Sequence, residues 1–381
     1  MNKIFFLLIF YFFVSVKSEK VNCIGQPGQD IRTKLVHLLE VEPFREFFSE
    51  VPHFFMSTIK YKNAIKESQR LGEKEEEKPT LASEMVKLEE CGCMRKIQSS
   101  RRPLVQTSDS MCSLHSGQRG ANQKVISYTY FKNNHTEKRI RMKYFDGIPK
   151  ILEILPKTYP GWTMRLYHDL DHSDEQHAQL CQMACANPNI DLCHTKNIPA
   201  LGDVTSMFAK NWRFLPLMDP HVSYFMSRDV DAMIIDREVQ AVEEWLQSNK
   251  AFHVMHDNHK HHFPMMAGLW GAKLSALERG MALYSFQLAA ATSEDMWQNR
   301  DQYLLDQEFL AEYIWPWAKH SVLHHAAHHC MDYKDTKPFP TERERTFGNF
   351  IGVPWVKNET YYSKRCPVQC RPQHHQDWIF C

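Results

Sequence analysis

Two short acidic patterns carry the most explicit chemistry in this 381-residue chain: Asp229-Val230-Asp231 and Asp169-Leu170-Asp171. Residues two apart in extended chain point the same way, so both carboxylates of such a pair can close on one divalent cation. Carboxylate oxygens suit Mn²⁺ or Mg²⁺, and a cation held this way stabilises a departing phosphate by neutralising charge as it develops. The Asp229 pair follows the longer apolar lead, His221 to Met226, and is the favoured centre, with Arg228 directly before it. Two histidine clusters compete with it. His253, His256, His259, His261 and His262 surround Asp257, and His324-His325 is followed by His328-His329. Imidazoles two to four residues apart can encircle Zn²⁺ or Cu²⁺, yet the sequence lacks the His-Glu-x-x-His pattern of a zinc-protease helix. The first cluster reads more simply as a polar loop between two strands, overhanging a cleft with Asp257. The second reads as a solvated or packed helix end.

A pair of carboxylates needs strands to aim it. Val125 to Tyr130 has the β-branched and aromatic content of a buried strand. A helix is predicted over 148–158, closed by Tyr159-Pro160-Gly161, and a strand over 163–167 ends on His168-Asp169. A helix over 174–186, a weaker strand at 190–192, a strand over 221–226 and an amphipathic helix over 238–248 continue the alternation. That order favours an α/β sheet of parallel strands with ligands at their carboxyl ends. Lys and Arg number 46 against 45 Asp and Glu, so no basic field draws the chain to nucleic acid. An apolar fraction of 43% fits an ordinary globular protein.

Compartment decides how the cysteines are read. Lys3 and the apolar run Ile4 to Val16 make residues 1–18 a signal peptide cleaved before Glu19, or else an uncleaved signal anchor. Either delivers the body to the secretory lumen, and no second spanning stretch follows. The 11 cysteines then favour disulfides over zinc, with one left over. Asn134 and Asn358 head glycan acceptor sequons. The chain divides into the signal segment 1–18, a Cys-containing extension 19–123 with a charged linker (73–78), an α/β domain 124–356, and a Cys-rich tail 357–381 stapled through Cys366, Cys370 and Cys381. Helical apolar spacing between Leu35 and Phe48 marks the extension. Trp297, Trp315, Trp317 and Trp355 offer faces for sugar rings, with core packing the simpler role for most.

With these residues in view, 124–356 resembles the nucleotide-sugar glycosyltransferases of the GT-A fold, a Rossmann-like, mostly parallel sheet whose Asp-x-Asp ends a central strand. The resemblance implies that Asp229 and Asp231 hold Mn²⁺ (or Mg²⁺) against the diphosphate of a nucleotide sugar, UDP-sugars being favoured. It implies a histidine as third ligand, for which His324 is chosen. Tyr128, Asp169 and Arg228 fall where such enzymes contact the nucleotide. Phe263 to Gly271, with Gly268 and Trp270, looks like the strand and glycine turn lining the sugar and acceptor cleft. Asp306, early in a helical run over 308–314, matches an acidic position that touches donor or acceptor; Asp306 or Asp257 would deprotonate an acceptor hydroxyl or orient the sugar. The acceptor would be a glycan or glycoprotein in the Golgi lumen or outside the cell. Two alternatives stay open: a non-catalytic secreted binding protein on the same scaffold, and a metal-dependent hydrolase built on the histidines.

Overall fold

The computed structural model describes residues 81–100, 107–131, 144–293, 303–343, 349–355 and 364–381. The signal segment 1–18, Cys23, the pattern from Leu35 to Phe48, the charged run 73–78, Trp297 and both sequon asparagines, Asn134 and Asn358, lie outside them.

A hairpin of β1 (Leu81–Leu88) and β2 (Cys93–Ser100) comes first. From β3 (Gln123–Tyr130) the chain passes through α1 (Gly147–Thr158) to β4 (Trp162–His168), then through α2 (Glu175–Ala186) to β5 (Ile190–His194). A 3-10 helix (Ala209–Met218) returns it to β6 (Val222–Ser227). There follow α3 (Asp236–Gln247), β7 (Phe252–His256), β8 (Trp270–Lys273), α4 (Ala276–Thr292), α5 (Leu305–Phe309), β9 (Val322–Ala326) and β10 (Thr336–Lys337). The result is a mixed α/β body around a mostly parallel eight-stranded sheet, ordered β5-β4-β3-β6-β8-β7-β9-β10, in which β8 runs against both neighbours.

Helices cover both faces, and the sequence shows why. Val125 belongs to one apolar cluster, with the 3-10 helix, α4 and α5; Ile126 and Tyr128 belong to the other, with α1, α2 and α3. A parallel strand covered on both sides needs apolar residues at odd and even positions, so 125–130 reads as a run and not as an alternation. On α1, Ile148, Ile151, Leu152 and Leu155 are buried at helical spacing. Gly161, at φ +80, makes the turn into β4 in a conformation few other residues adopt. From β3 the chain builds outward to β4 and β5, then places β6 on β3's other side. The strand order therefore reverses between β3 and β6, and the carboxyl ends at such a reversal are where open α/β sheets have their ligand crevice.

Residues 91–120, irregular by sequence, contain real structure. On β2 the inward positions are Arg95 and Ile97, both buried, while Met94 is exposed. An inward arginine hides the strand's period. Its guanidinium meets Asp191 at 3.0 Å and the carbonyls of Ala184 and Asn187 at 2.9 Å, and Arg119 grips the same Asp191 at 2.8 Å. Cys91–Cys181, Cys93–Cys185 and Cys112–Cys193 then bind this region to α2 and β5. Closing loops of 81 to 92 residues restricts the unfolded chain by about 4–5 kcal/mol each in the chain-entropy view. Cys330–Cys370 and Cys366–Cys381 staple the tail. These bridges fit an oxidising, extracellular or secretory-pathway setting. Among the described residues no helix is long and apolar enough to cross a membrane.

Candidate active site

β6 pairs with β3 in parallel register, Val125 opposite Phe225 and Ser127 opposite Ser227, so the chain leaves β6 at the crevice with Asp229 two residues on. The loop is held from several sides. Arg228 N–H donates to Ser127 (3.1 Å), Met233 N–H to Val353 (2.8 Å), and Trp355 N–H to the Asp231 carbonyl (2.7 Å). Ala232 N–H donates to the Asp229 carbonyl (3.0 Å), closing a turn that keeps the two carboxylates near each other. Gly147, opening α1, packs where a Cβ would overlap the Val230 carbonyl, and Gly268 packs where a Cβ would overlap the Asp229 carboxylate.

The electrostatics follow from this crowding. Burial, and then the Asp229 charge, push the Asp231 carboxyl up to about 7. Burial would raise Asp229 too, but the neighbouring Arg213 guanidinium outweighs it and holds Asp229 below the usual carboxylate range. Its side chain is 47% exposed, so it faces the solvent side of the crevice. Two carboxylates share a space that favours a proton or a cation between them.

Sequence reasoning missed Arg213. Buried on the 3-10 helix, it pairs with Asp229 and donates at 2.8 Å to Asp306, so it joins two of the residues singled out by sequence. The available signal was an arginine inside the apolar run Trp212-Arg213-Phe214-Leu215, where a buried cation demands an anionic partner. Leu304 precedes α5 at φ 73, a left-handed conformation rare for a branched side chain, and turns Asp306 inward. Such strain is held where surrounding packing dictates it, often at functional sites. Lys210 lies 5.2 Å from the Tyr303 ring, which is largely exposed. The Tyr144 hydroxyl is pushed up to about 12 by burial and then by Asp231 and Asp229.

The other sequence-selected residues divide. Tyr128 is buried at the end of β3, its hydroxyl pushed up by burial and then by Glu238. Asp169 follows β4 and is 9% exposed. Arg228, expected at the nucleotide, instead points into the core: it donates to Glu238 (2.7 Å) and to the Ser227 and Trp270 carbonyls, and so braces the loop. Trp270 is fully buried, with its ring against Phe214 and Phe225 at 5.6 and 5.0 Å, and offers no face to a sugar. The strand expected over 263–271 begins only at Trp270.

Asp257 also departs from expectation. Both carboxylate oxygens receive Arg237 (2.9 and 3.0 Å), the Ile351 N–H adds a third bond, and the residue is fully buried, so it is a structural hub without reach to an acceptor. His324 lies on β9, in a strand where a helix end was expected. Its row runs through Val254 and Trp270 to Ser227, three strand spacings or roughly 14 Å from β6. Its Nε2 lies 2.8 Å from His256 Nδ1 instead of reaching the aspartates. His253 is buried against His325 and His256 against His324, and the first two, His253 and His256, lie within β7 and not in a loop. Among the described residues no group of three or more His, Cys, Asp or Glu side chains is placed to hold a metal ion.

Gly268→Ala is expected to displace the Asp229 carboxylate, lower the melting temperature by a few degrees, about 1–3 kcal/mol of overpacking, and weaken Mn²⁺ binding. Thermal melts with and without Mn²⁺ check this; a variant indistinguishable from wild type in both would show that the close approach is immaterial.

No protein-family model matches the sequence, and no curated protein matches it. Among solved structures, S. aureus TarS (residues 1–349) is similar at 11% identity and a TM-score of 0.27, over 43% of this chain and 56% of that one. The chain thus spans little more than half of that structure, and a likeness this slight leaves fold and site resting on the geometry above.

Proposed function

We propose that this protein is a metal-dependent, glycosyltransferase-like enzyme of the secretory pathway, secreted or in the Golgi lumen. It transfers a sugar from a nucleotide-diphosphate donor, UDP-sugars first, to a glycan or glycoprotein. The observation that carries this reading is the Asp229–Asp231 loop at the crevice where strand order reverses, with the Asp231 carboxyl pushed up to about 7 by burial and by Asp229. Two crowded acidic oxygens of this kind fit Mn²⁺ or Mg²⁺, with Asp229 and Asp231 as the protein's ligands. When bound, the cation supplies charge neutralisation for the leaving diphosphate.

The chain's own residues set the stage. Gly268 leaves room for the Asp229 carboxylate, and Arg213 fixes it relative to Asp306. Asp306, buried and held by Arg213, positions Asp229 through that guanidinium. Lys210 stands close enough to Asp229 and Asp231 to lower both, and is suited to meet phosphate oxygens. One observation favours a second reading, a binding protein without catalysis: the Arg213 cation already neutralises Asp229. Melting the protein with Mn²⁺ and UDP, singly and together, separates ligand-binding site from relic, because a ligand specific to the native state raises its stability.

A further inference from the structure

The 3-10 helix that carries Arg213 also carries Lys210 three residues earlier, and side chains three apart on a 3-10 helix eclipse, so the two cations point the same way. Across from them, Tyr303 stands three residues before Asp306. The two pairs meet as rungs. Arg213 donates to Asp306 at 2.8 Å, and the Lys210 ammonium lies 5.2 Å from the centre of the Tyr303 ring, a cation–π contact. The first rung is buried and joined to Asp229; the second is one helical turn, ~6 Å, further along.

Tyr303 is 77% exposed, the highest value for a large apolar side chain among the described residues. Exposure of a single such residue is ordinary; its position is what distinguishes this one. Leu304, directly after it, holds a left-handed conformation, and Asp306 is tied to Arg213, so the backbone presenting the ring is fixed relative to Asp229. Tyr144, itself 39% exposed, feels the charges of Asp231 and Asp229 and the Tyr303 hydroxyl, so the two rings and the two carboxylates share one opening. The platform also has a side. Ala209, next to Lys210, accepts the Thr129 hydroxyl of β3 at 3.1 Å, which sets this rung toward the carboxyl end of β3, whereas Gly268, just before β8, packs on Asp229. Tyr128, the aromatic residue that sequence placed at the nucleotide, is buried and has no free face.

We propose that the Tyr303 ring is the stacking platform for the nucleobase of the donor, with Lys210 beside it to meet the diphosphate's charge. This rests on the reading of Asp229 and Asp231 as the cation site for a nucleotide. A ligand whose diphosphate is held at the aspartates extends along the ladder, past Lys210, to the open ring. Every base has a π-face, so stacking on tyrosine adds affinity without choosing among bases. Tyr303 therefore separates nucleotides from inorganic diphosphate, and the choice of base falls to hydrogen-bonding groups elsewhere in the crevice.

The test titrates the full oxidised chain, in MnCl₂, with UDP and separately with pyrophosphate, beside Tyr303→Ala and Tyr303→Phe. Tyr303 is exposed, so neither substitution threatens the fold. Wild type is expected to bind UDP more tightly than pyrophosphate. Tyr303→Ala should weaken UDP at least about fivefold while pyrophosphate stays within about twofold, and Tyr303→Phe, which keeps the ring, should restore UDP binding. Unchanged UDP affinity in Tyr303→Ala overturns the platform, as does an equal loss of both ligands or a failure of phenylalanine to rescue. So does a loss confined to UDP-glucose with UDP unaffected, which would put the ring against the sugar. Wild type that binds pyrophosphate with Mn²⁺ but gains nothing from the nucleoside overturns the platform and leaves the cation site standing; wild type that binds neither overturns both.

Discussion

Asp229→Asn is expected to lower Mn²⁺-dependent turnover of a nucleotide sugar by about 10³-fold, because removing one preorganised charge at the reacting phosphates costs on that order. The substitution keeps the side chain's size and leaves Arg213 its bond to Asp306. Asp229 is half-exposed, so the lost ion pair with Arg213 is screened and worth at most about 1 kcal/mol. Melting temperature should therefore move by only a few degrees. The loss should fall on kcat and on kcat/KM together, since the contact matters most as charge builds on the leaving group. Steady-state kinetics over a range of Mn²⁺ concentrations check this. Near-wild-type turnover in the variant would remove Asp229 from the chemistry.

Acid is expected to destabilise the fold sharply between pH 7 and pH 5. His324 and His325 are held down at about 3 by burial first, then by neighbouring charge, and His253 and His256 are held well below their ordinary value for the same reason. In the unfolded chain these imidazoles take up protons near ~6.5. Below that pH the unfolded state binds more protons than the folded one, so the stabilisation is intact above ~6.5 and is lost progressively as pH falls toward the folded values. Each group contributes up to ~1.4 kcal/mol per pH unit. Four such residues, two pairs on adjacent β7 and β9, give a drop in melting temperature of more than ~10 °C by pH 5. Asp231 and Glu278, whose carboxyls are raised by burial, run the other way and soften the slope. Melts across pH 5 to 8 decide it, and a flat profile would mean that these histidines are not buried in neutral form.

How much of this was legible in the sequence depends on whether the signal was local. Strands β3, β4 and β6 were readable because both faces are buried: the readings of 125–130 and 163–167 fall inside the observed limits, and that of 221–226 starts and ends one residue before β6. The Asp229 pair was visible because it directly follows its strand. Arg213 was not, since its meaning lies in Asp306, 93 residues away. Strand β2 hid because its inward position is Arg95, whose burial makes sense only beside Asp191. Histidines at 324 and 325 suggested a solvated or packed helix end, but they lie in a strand whose pairing buries them between β7 and β10. Asp257 looked like a free acid until Arg237 enclosed it. In each case a polar residue took a core position by finding a distant partner, and composition alone carries no trace of that pairing.

The most direct measurement is the melting temperature of the purified chain with Mn²⁺ and UDP, alone and together, set beside Asp229→Asn. A rise with the pair of ligands that exceeds either alone, and that vanishes in the variant, is the expected result. No rise with any nucleoside diphosphate, or an equal rise in Asp229→Asn, would contradict the claim that Asp229 and Asp231 hold a cation against a nucleotide.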